Sequence, residues 1–263
     1  MKIRRMLSRN GLHTICEEAL CPNISECSKK REASFLILGK VCTRGCTFCN
    51  VEKGVPLPAD PAEPEKIALA VSELGLKHAV ITSPTRDDLP DGGAEIFAQT
   101  ISAIRKILPG TAIEVLVPDF RGDTHPLDTV CHAMPDLFGH NIETVPRLYG
   151  IRKGADFKRS LSIFSYISSN YPSIPLKSGL MLGLGETASE VVSVMRDLYA
   201  AGCRYLSLGQ YLAPGKNFYP VREYIAPETF AEYKKDGMKT GFLHIESAPF
   251  VRSSYMASEY LKT

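Results

Sequence analysis

Three cysteines lie close together in the stretch GKVCTRGCTFCNVEKG, which runs from Gly39 to Gly54. Cys42, Cys46 and Cys49, hereafter the loop trio, are separated by three and then two residues. Thiolate is the ligand that iron–sulfur clusters prefer, and a loop this short can place three sulfurs around one inorganic cube. Three thiolates hold three irons of a [4Fe–4S] cluster and leave the fourth iron open to a substrate or a cofactor. The spacing therefore predicts a cubane site with one open corner.

A second set of three cysteines precedes the first, in ICEEALCPNISECSKK. Cys16, Cys21 and Cys27, hereafter the N-terminal trio, are separated by four and then five residues. A second trio in a reducing compartment predicts a second cluster. Structural zinc is the alternative for either trio, and it takes four ligands. No histidine neighbours the loop trio, whereas His13 could complete the N-terminal trio.

The composition is that of an ordinary globular chain, with 263 residues, 44% hydrophobic and 23% charged. A net charge of +2 gives no electrostatic basis for binding nucleic acid. The basic N-terminus precedes no apolar run, and no stretch approaches the ~18 apolar residues of a membrane span. We therefore expect a cytoplasmic protein without membrane contact, in which clustered cysteines bind metal. Cys131 and Cys203 lie in apolar patterns and are predicted to be small buried side chains.

Strand-like and helix-like stretches alternate from Ser34 onward. The strand candidates are short and rich in valine, isoleucine and leucine, as strands buried on both faces are. They are Ser34–Gly39, His78–Ser83, Ala112–Pro118, Asp136–Val145, Lys177–Gly185 and Arg204–Leu212. The helix candidates are PEKIALAVSELG, GGAEIFAQTISAIRKIL, FKRSLSIFSYISSNY and ETASEVVSVMRDLYAAG. Six βα units in series predict an α/β fold with a parallel sheet that closes, fully or partly, into a (β/α)6 TIM-like barrel with its chemistry at the carboxyl ends of the strands.

Both ends of the chain fall outside this alternation. Residues 1–33 carry the N-terminal trio and are predicted to form an N-terminal extension. Residues 34–237 form the predicted barrel, and residues 238–263 a C-terminal extension with the strand-like FLHIESAPFV followed by VRSSY. The loop trio directly follows the first strand candidate, where a barrel keeps its active site.

The C-x3-C-x2-C spacing of the loop trio resembles the signature of the radical S-adenosylmethionine (SAM) superfamily. CEEALCPNISEC, RDDLPDGGA, HNIETVPRLY, KSGLMLGLGE, GQYLAP and VRSSY are similar to the lipoyl synthase family within it. The resemblance extends from Leu12 to Tyr255. It implies a partial barrel of the radical SAM type with N- and C-terminal extensions. It also implies two [4Fe–4S] clusters, one that binds SAM and one auxiliary cluster held by the N-terminal trio.

The resemblance also implies a reaction. SAM chelates the open iron, and its one-electron cleavage gives a 5′-deoxyadenosyl radical. The substrate is an octanoyl group in amide linkage to a lysine of a lipoyl carrier domain or of the glycine-cleavage H protein. Hydrogen abstraction at C6 and C8 lets the carbon radicals attack sulfides of the auxiliary cluster, which is consumed as the sulfur donor. An electron donor and proteins that assemble or carry iron–sulfur clusters are the other implied partners.

The resemblance assigns a role to the VRSSY stretch. In the family a serine of this motif supplies the fourth ligand of the auxiliary cluster, so Ser253 and Ser254 are the candidates here and Ser254 is favoured. An alkoxide is a harder ligand than thiolate, and it would make a cluster that must release sulfide more labile. Arg252 is placed to donate hydrogen bonds to a sulfide or to the serine oxygen. Without the family, an exposed polar tail would be the simpler interpretation.

Five further positions are candidates for contacts with SAM. Gly92 and Gly93 follow the second strand candidate, where glycine lets the backbone approach the methionine moiety, although they could simply lead into a helix. Asn141 and Glu143 alternate at the end of the fourth strand candidate, where ribose contacts are expected, although one could be structural. Lys177 begins the fifth strand candidate, and it could pair with a carboxylate or be a surface amine.

Two other functions compete with this interpretation. A radical SAM sulfurtransferase of the biotin synthase kind would share the loop trio but not CEEALCPNISEC or RSSY. A non-enzymatic ferredoxin-like carrier or zinc protein would close its metal sites with protein ligands, whereas both trios lack a fourth cysteine.

Overall fold

Ten strands lie in the part of the chain that a computed structural model describes, namely residues 7, 9–30 and 33–261. They are β1 His13–Thr14, β2 Ala33–Leu36, β3 Val41–Cys42, β4 Glu52–Lys53, β5 His78–Thr82, β6 Ala112–Leu116, β7 Leu137–Gly139, β8 Leu176–Leu182, β9 Tyr205–Gln210 and β10 His244–Ser247. Eight of them form one sheet in the order β1-β2-β5-β6-β7-β8-β9-β10. The pair β3–β4 forms a separate two-stranded ladder.

All neighbouring strands of the main sheet are parallel except β1, which runs antiparallel to β2. In the described residues β1 and β10 are the two edges, so the sheet curves into a barrel that stays open. The six predicted strands are β2 and β5 to β9, and the predicted α/β fold with a partial parallel barrel is confirmed. The strand-like stretch near the C-terminus adds β10 beside β9.

Eight α-helices and three 3-10 helices accompany the strands in the described residues. The α-helices are α1 Ile15–Glu18, α2 Ile24–Lys30, α3 Glu63–Leu74, α4 Ala94–Ile107, α5 Thr124–His132, α6 Phe157–Asn170, α7 Ala188–Ala200 and α8 Pro227–Thr240. The 3-10 helices are Phe120–Gly122, Pro146–Ile151 and Ala257–Leu261. The four predicted helices correspond to α3, α4, α6 and α7. Local signals fix their ends, since Gly75 ends α3 in the left-handed conformation and Thr187 and Glu190 form a capping box at the start of α7.

The alternation of side chains along the strands separates the core from the barrel interior. Ile81, Val115 and Leu206 point away from the interior and belong to the continuous apolar core beneath the helices. Thr82 and Ser207, one residue further along their strands, line an internal cavity instead. The interior of the open barrel therefore carries small polar side chains beside apolar ones such as Val80 and Leu180, and it leaves room for a site.

Both predicted extensions contribute strands to the main sheet, since β1 lies within residues 1–33 and β10 within residues 238–263. The predicted boundary between residues 237 and 238 falls inside α8. Residues 1–6, 8, 31–32 and 262–263 of the two extensions lie outside the described residues. The division into three domains stays a prediction. Separately, none of the helices in the described part of the chain has the length and hydropathy needed to span a bilayer.

Candidate active site

The loop trio lies in the long connection between β2 and α3, at the carboxyl end of β2. The β3–β4 ladder closes this connection on itself and places Cys42 at the end of β3. The backbone N–H of Arg44 donates to Cys42 Sγ at 3.4 Å. The backbone N–H of Cys49 donates to the carbonyl of Cys46 at 3.4 Å. The trio is therefore carried by a folded loop with its own hydrogen bonds.

Arg44 fixes this loop to the loops that follow β5 and β6. Its guanidinium binds Asp87 at 2.7 Å through Nε and Asp119 at 2.7 Å through Nη2. Burial by itself would raise the pKa of Asp119, but the hydrogen bond and charge of Arg44 lower it below its usual value. The position of the loop trio therefore depends on neighbouring loops of the barrel.

The N-terminal trio lies on the chain that precedes β2. Cys16 is on α1, Cys27 is on α2, and Cys21 lies in the turn between them. The backbone N–H of Cys21 donates to the carbonyl of Cys16 at 2.9 Å, which draws the turn together. Because α1 follows β1 directly, the antiparallel pairing of β1 with β2 brings this trio to the sheet.

Two asparagine side chains connect the N-terminal trio to other parts of the site. Asn50, one residue after the loop trio, donates from Nδ2 to the carbonyl of Glu18 on α1 at 2.8 Å. Asn23, between Cys21 and Cys27, donates from Nδ2 to the carbonyl of Phe250 at 2.6 Å, across 227 residues of sequence. The two thiol-bearing segments and the C-terminal segment are thus held against one another.

All six thiols of the two trios line one cavity of about 590 Å³ inside the open barrel. Its other polar lining includes Asn141, Glu143, Arg152, Arg252, Ser253 and Ser254. In the part of the chain that the structure describes, no three His, Cys, Asp or Glu side chains come close enough together to hold a single metal ion. Six thiols and two hydroxyls around one cavity are the donor set that cluster irons need, so these residues fit iron–sulfur clusters.

Burial shapes the protonation of these thiols. It raises the pKa of Cys16 and Cys46, and it raises the pKa of Cys49 to about 12. For Cys46 the charge of Arg152 partly opposes this effect. Without metal these thiols are protonated at neutral pH, which makes them poor nucleophiles. Iron displaces the protons when it binds, so the environment favours ligands over a cysteine nucleophile.

The structure brings Asn141 and Glu143 to the same cavity as the trios. Asn141 donates from Nδ2 to Ser253 Oγ at 2.7 Å. Glu143 adopts a left-handed backbone with φ of 66°, and its N–H donates to the carbonyl of Gly179 at 2.9 Å. Burial raises the pKa of Glu143, against the lowering effect of the nearby Arg152. A contact of either side chain with SAM stays a prediction.

Gly92 and Gly93 do not line the cavity in the structure. Both have positive φ, and they form the turn that leads into α4. A Cβ on Gly92 would lie 2.8 Å from the ring of Phe120, and a Cβ on Gly93 would overlap the side chain of Leu38. Glycine is therefore required here for backbone conformation and close packing. The predicted contact of these glycines with SAM has no support from their position.

Lys177 also lies away from the cavity lining, at the amino end of β8. Its side chain is 3% exposed, and its Nζ lies 2.9 Å from Glu114 Oε1. Of the two structural alternatives for this lysine, pairing with a carboxylate is the one observed. Its assignment to cofactor binding has no support from this position.

Sequence reasoning gave no role to two arginines of the site. Arg152 lines the cavity, and its guanidinium donates to Tyr149 Oη and to Ser160 Oγ. Arg86 is 1% exposed and donates to the carbonyls of Leu38 and Leu57, on either side of the loop trio. No spacing rule marks a single arginine in a loop. Only the resemblance of RDDLPDGGA to a family motif drew attention to Arg86.

Two glycines make room for the C-terminal segment that carries the serines. A Cβ on Gly209 of β9 would overlap the carbonyl of Val251. A Cβ on Gly179 of β8 would lie 2.7 Å from Asn141 Oδ1 and 3.0 Å from Ser253 Oγ. The inner face of the sheet is therefore shaped to receive residues 251–254.

Gly209→Ala is expected to displace this segment, because the obstacle is backbone rather than a flexible side chain. Overpacking of this kind costs about 1–3 kcal/mol in the free energy of unfolding, which urea denaturation would measure. Gly110→Ala is the matched control, since a Cβ there meets nothing within 4 Å. An equal loss of stability in the two variants would contradict the close approach.

Comparison with known proteins identifies the family. Residues 36–198 match the model of the radical SAM superfamily. A lipoyl synthase of Geotalea uraniireducens is 57% identical over 98% of this chain and 92% of its own. A lipoyl synthase of Citrifermentans bemidjiense is 55% identical over 98% of this chain and 89% of its own. The crystal structure of Streptococcus suis SuiB bound to S-adenosylmethionine is similar at a TM-score of 0.60 and 11% identity, covering 85% of this chain and 52% of that one.

The structural likeness shows the fold, and the sequence identities show the family. Full-length similarity to curated lipoyl synthases agrees with CEEALCPNISEC, CTRGCTFC and VRSSY, which a biotin synthase-like enzyme would not share as a set. The superfamily match carries with it a [4Fe–4S] cluster and SAM as cofactors. The chain belongs to the lipoyl synthase family of the radical SAM superfamily.

Proposed function

We propose that the loop trio holds the SAM-binding [4Fe–4S] cluster and that the N-terminal trio, with Ser254, holds an auxiliary [4Fe–4S] cluster. Together they allow the insertion of two sulfur atoms at C6 and C8 of a protein-bound octanoyl-lysine. The observation that carries this proposal is the single cavity lined by all six thiols and by the RSSY serines. A radical made at one cluster must reach a substrate carbon that also meets the sulfur of the other, so the two ligand sets must share a space.

The division of labour between protein and cofactors follows from the residues present. When bound, the clusters and SAM supply a 5′-deoxyadenosyl radical for hydrogen abstraction and sulfide for insertion. The protein holds the irons through thiolates and orients the segments through the bonds of Asn23 and Asn50. Burial of the cavity inside the barrel excludes water from a reactive intermediate.

Ser254 is favoured over Ser253 as the fourth ligand of the auxiliary cluster. The hydroxyl of Ser253 already accepts a hydrogen bond from Asn141, whereas Ser254 lines the same cavity beside it. Arg252 lines the cavity too, and burial lowers its pKa, against a smaller raising effect of the nearby Cys21. Its guanidinium is therefore close enough to the N-terminal trio to influence an anionic cluster there.

The cavity also offers an apolar wall for an octanoyl chain. Ile15, Ala19, Leu20, Phe48 and Leu212 line it together with the thiols. Leu20 is 65% exposed, which places part of this wall at the surface. We assign the octanoyl chain to this wall, with the carrier lysine outside. The carrier is a lipoyl carrier domain or the glycine-cleavage H protein.

The remaining partners follow from the chemistry. Cleavage of SAM consumes an electron, so a reducing protein must dock near the loop trio. Consumption of the auxiliary cluster requires proteins that assemble or carry iron–sulfur clusters. Thiolate-held clusters persist in a reducing compartment, and we place the reaction in the cytoplasm on that ground.

An anaerobic assay with an octanoylated carrier peptide tests the proposal. With SAM and reductant, mass spectrometry should find two sulfurs in place of two hydrogens on the peptide. The purified protein should contain about eight iron and eight sulfide per chain, as two cubanes require. Without an external cluster source, the yield should stop near one lipoyl group per chain. Conversion of dethiobiotin instead, or zinc without sulfide, would overturn the proposal.

A further inference from the structure

The C-terminal segment crosses the barrel interior from one end of the strands to the other. Val251 contacts Gly209 near the carboxyl end of β9, and Ser253 contacts Gly179 in the middle of β8. Ala257 still lines the cavity. Tyr260 then packs against Tyr205, the first residue of β9, with ring centroids 6.0 Å apart. The serines at the cavity are thus followed by a second attachment at the amino ends of the strands.

Tyr260 occupies an aromatic and apolar socket at that end. Its side chain is fully buried and belongs to a small cluster with Leu137 and Tyr205, the first residues of β7 and β9. The ring of His244 lies edge-on at 4.8 Å between centroids. Strand register explains the convergence, since Tyr205 is paired with both Lys177 and His244 on its two neighbours.

The buried ammonium group of Lys177 lies against the face of the Tyr260 ring. Lys177 Nζ lies 3.7 Å from the centroid of the Tyr260 ring. The same nitrogen lies 2.9 Å from Glu114 Oε1, and His78 Nε2 lies 3.3 Å from Glu114 Oε2. Removing an ion pair from water costs desolvation free energy, which the attraction between the two charges barely offsets. The face of the aromatic ring gives the cation a second favourable contact. The Tyr260 hydroxyl lies a long 3.5 Å from the carbonyl of Leu206. A Tyr260→Phe variant separates any contribution of this hydroxyl from that of the ring.

We propose that Tyr260 is a positioning residue: its ring packs against the ammonium group of Lys177 and thereby holds the turn that carries Ser253 and Ser254 at the cavity. Val251 fixes the segment before the serines and Tyr260 fixes it after them, so the turn is held from both sides. The inference rests on the proposed function insofar as the turn supplies a cluster ligand. It also gives Lys177 a role at the opposite end of the barrel from the cofactor contact that the sequence suggested.

Hydrogen exchange of the reconstituted full-length protein tests the attachment directly. Tyr260→Leu keeps apolar volume but removes the ring face, whereas Tyr260→Phe keeps the ring and removes only the hydroxyl. We expect amide exchange in peptides covering residues 251–261 to quicken about tenfold or more in Tyr260→Leu and to stay near wild type in Tyr260→Phe. Tyr224→Leu is the control, because Tyr224 is 75% exposed. Unchanged exchange in Tyr260→Leu, or equal quickening in Tyr260→Phe, would contradict the proposal that the contact between the Tyr260 ring and the Lys177 ammonium group holds this segment.

Iron content tests the consequence for the site. Tyr260→Leu should lose bound iron toward about four per chain, with SAM cleavage retained, while Tyr260→Phe keeps about eight. If Tyr260→Leu exchanged more quickly but kept about eight irons, the contact between Tyr260 and Lys177 would not position the turn that carries the serines, and the inference would be overturned. A wild-type protein with only about four irons would contradict the proposed auxiliary cluster instead. The exchange rates would still test whether Tyr260 attaches the C-terminal segment.

Discussion

Cys46→Ala is expected to abolish reductive cleavage of SAM, and Cys21→Ala is expected to preserve that cleavage while stopping sulfur insertion. The first substitution removes a proposed ligand of the cluster that binds SAM, and the second removes a proposed ligand of the auxiliary cluster, which we propose as the sulfur source. Both variants should lose about half of the iron, from about eight to about four per chain. Quantifying 5′-deoxyadenosine and lipoyl peptide in the same anaerobic reactions would separate the two effects.

The contrast is informative because the two cysteines line the same cavity. A general disturbance of that cavity would impair both reactions together. The ligand sets are nevertheless built on different elements, the loop after β2 for Cys46 and the turn between α1 and α2 for Cys21. Loss of one cluster should therefore leave the other in place.

Cys131→Ala is the matched control for the two substitutions. Cys131 is fully buried on α5, away from the cavity, and burial raises its pKa to about 12. This variant should keep about eight irons and both activities. Equal loss of SAM cleavage in Cys46→Ala and Cys21→Ala would contradict the assignment of separate roles to the two trios.

The regular part of the fold was predictable because its signals are local. The strands β5, β6 and β9 are short apolar runs, and Gly75 ends α3 where the sequence suggested. Helix α8 was not predicted, because only Phe230, Tyr233 and Gly237 are buried along its 14 residues. A helix that packs so little of its surface shows a weak apolar period in its sequence.

Cysteine spacing suggested which residues we propose as ligands, but it could not show how the structure brings them together. Hydrogen bonds such as that between Asn23 and Phe250 span most of the chain, and no local pattern encodes them. Lys177 lies near the start of β8, and the start of a strand lies at the end of the barrel away from the active-site loops, so its position gives no support to cofactor binding. Gly92 and Gly93 lead into a helix, which was the alternative to a contact with SAM, and Phe120 and Leu38 occupy the space beside them.

Arg86 fastens the two ends of the loop that carries the loop trio. Its Nη1 donates to the carbonyl of Leu38 at 2.9 Å, and its Nη2 donates to the carbonyl of Leu57 at 3.0 Å. Asp88 holds the guanidinium from the other side at 2.8 Å. The N–H of Leu38 in turn donates to Glu63 Oε2 at 2.7 Å. One planar cation thus joins the two ends of the loop whose thiols we propose as cluster ligands, a geometry for which the forked donors of an arginine are suited.

Arg86→Met is expected to lower the free energy of unfolding by about 1–3 kcal/mol, because it leaves the buried carbonyl of Leu38 without its donor. It should also release the iron held by the loop trio and so abolish SAM cleavage, while the iron of the N-terminal trio remains. Arg86→Lys should be intermediate, since one ammonium group cannot reproduce the divergent donors of the guanidinium. Urea denaturation, iron analysis and 5′-deoxyadenosine formation would measure the three effects.

Arg147→Met is the matched control, since the Arg147 side chain is 53% exposed and pairs with Glu190 at the surface. Exposed ion pairs contribute little to stability, so this variant should retain its iron and cleave SAM at the wild-type rate. Arg86→Met would then differ from it through burial and position rather than through loss of a positive charge. If Arg86→Met lost stability but kept all of its iron, the hydrogen bonds of Arg86 would stabilise the fold only. Cluster binding by the loop trio would then not depend on them.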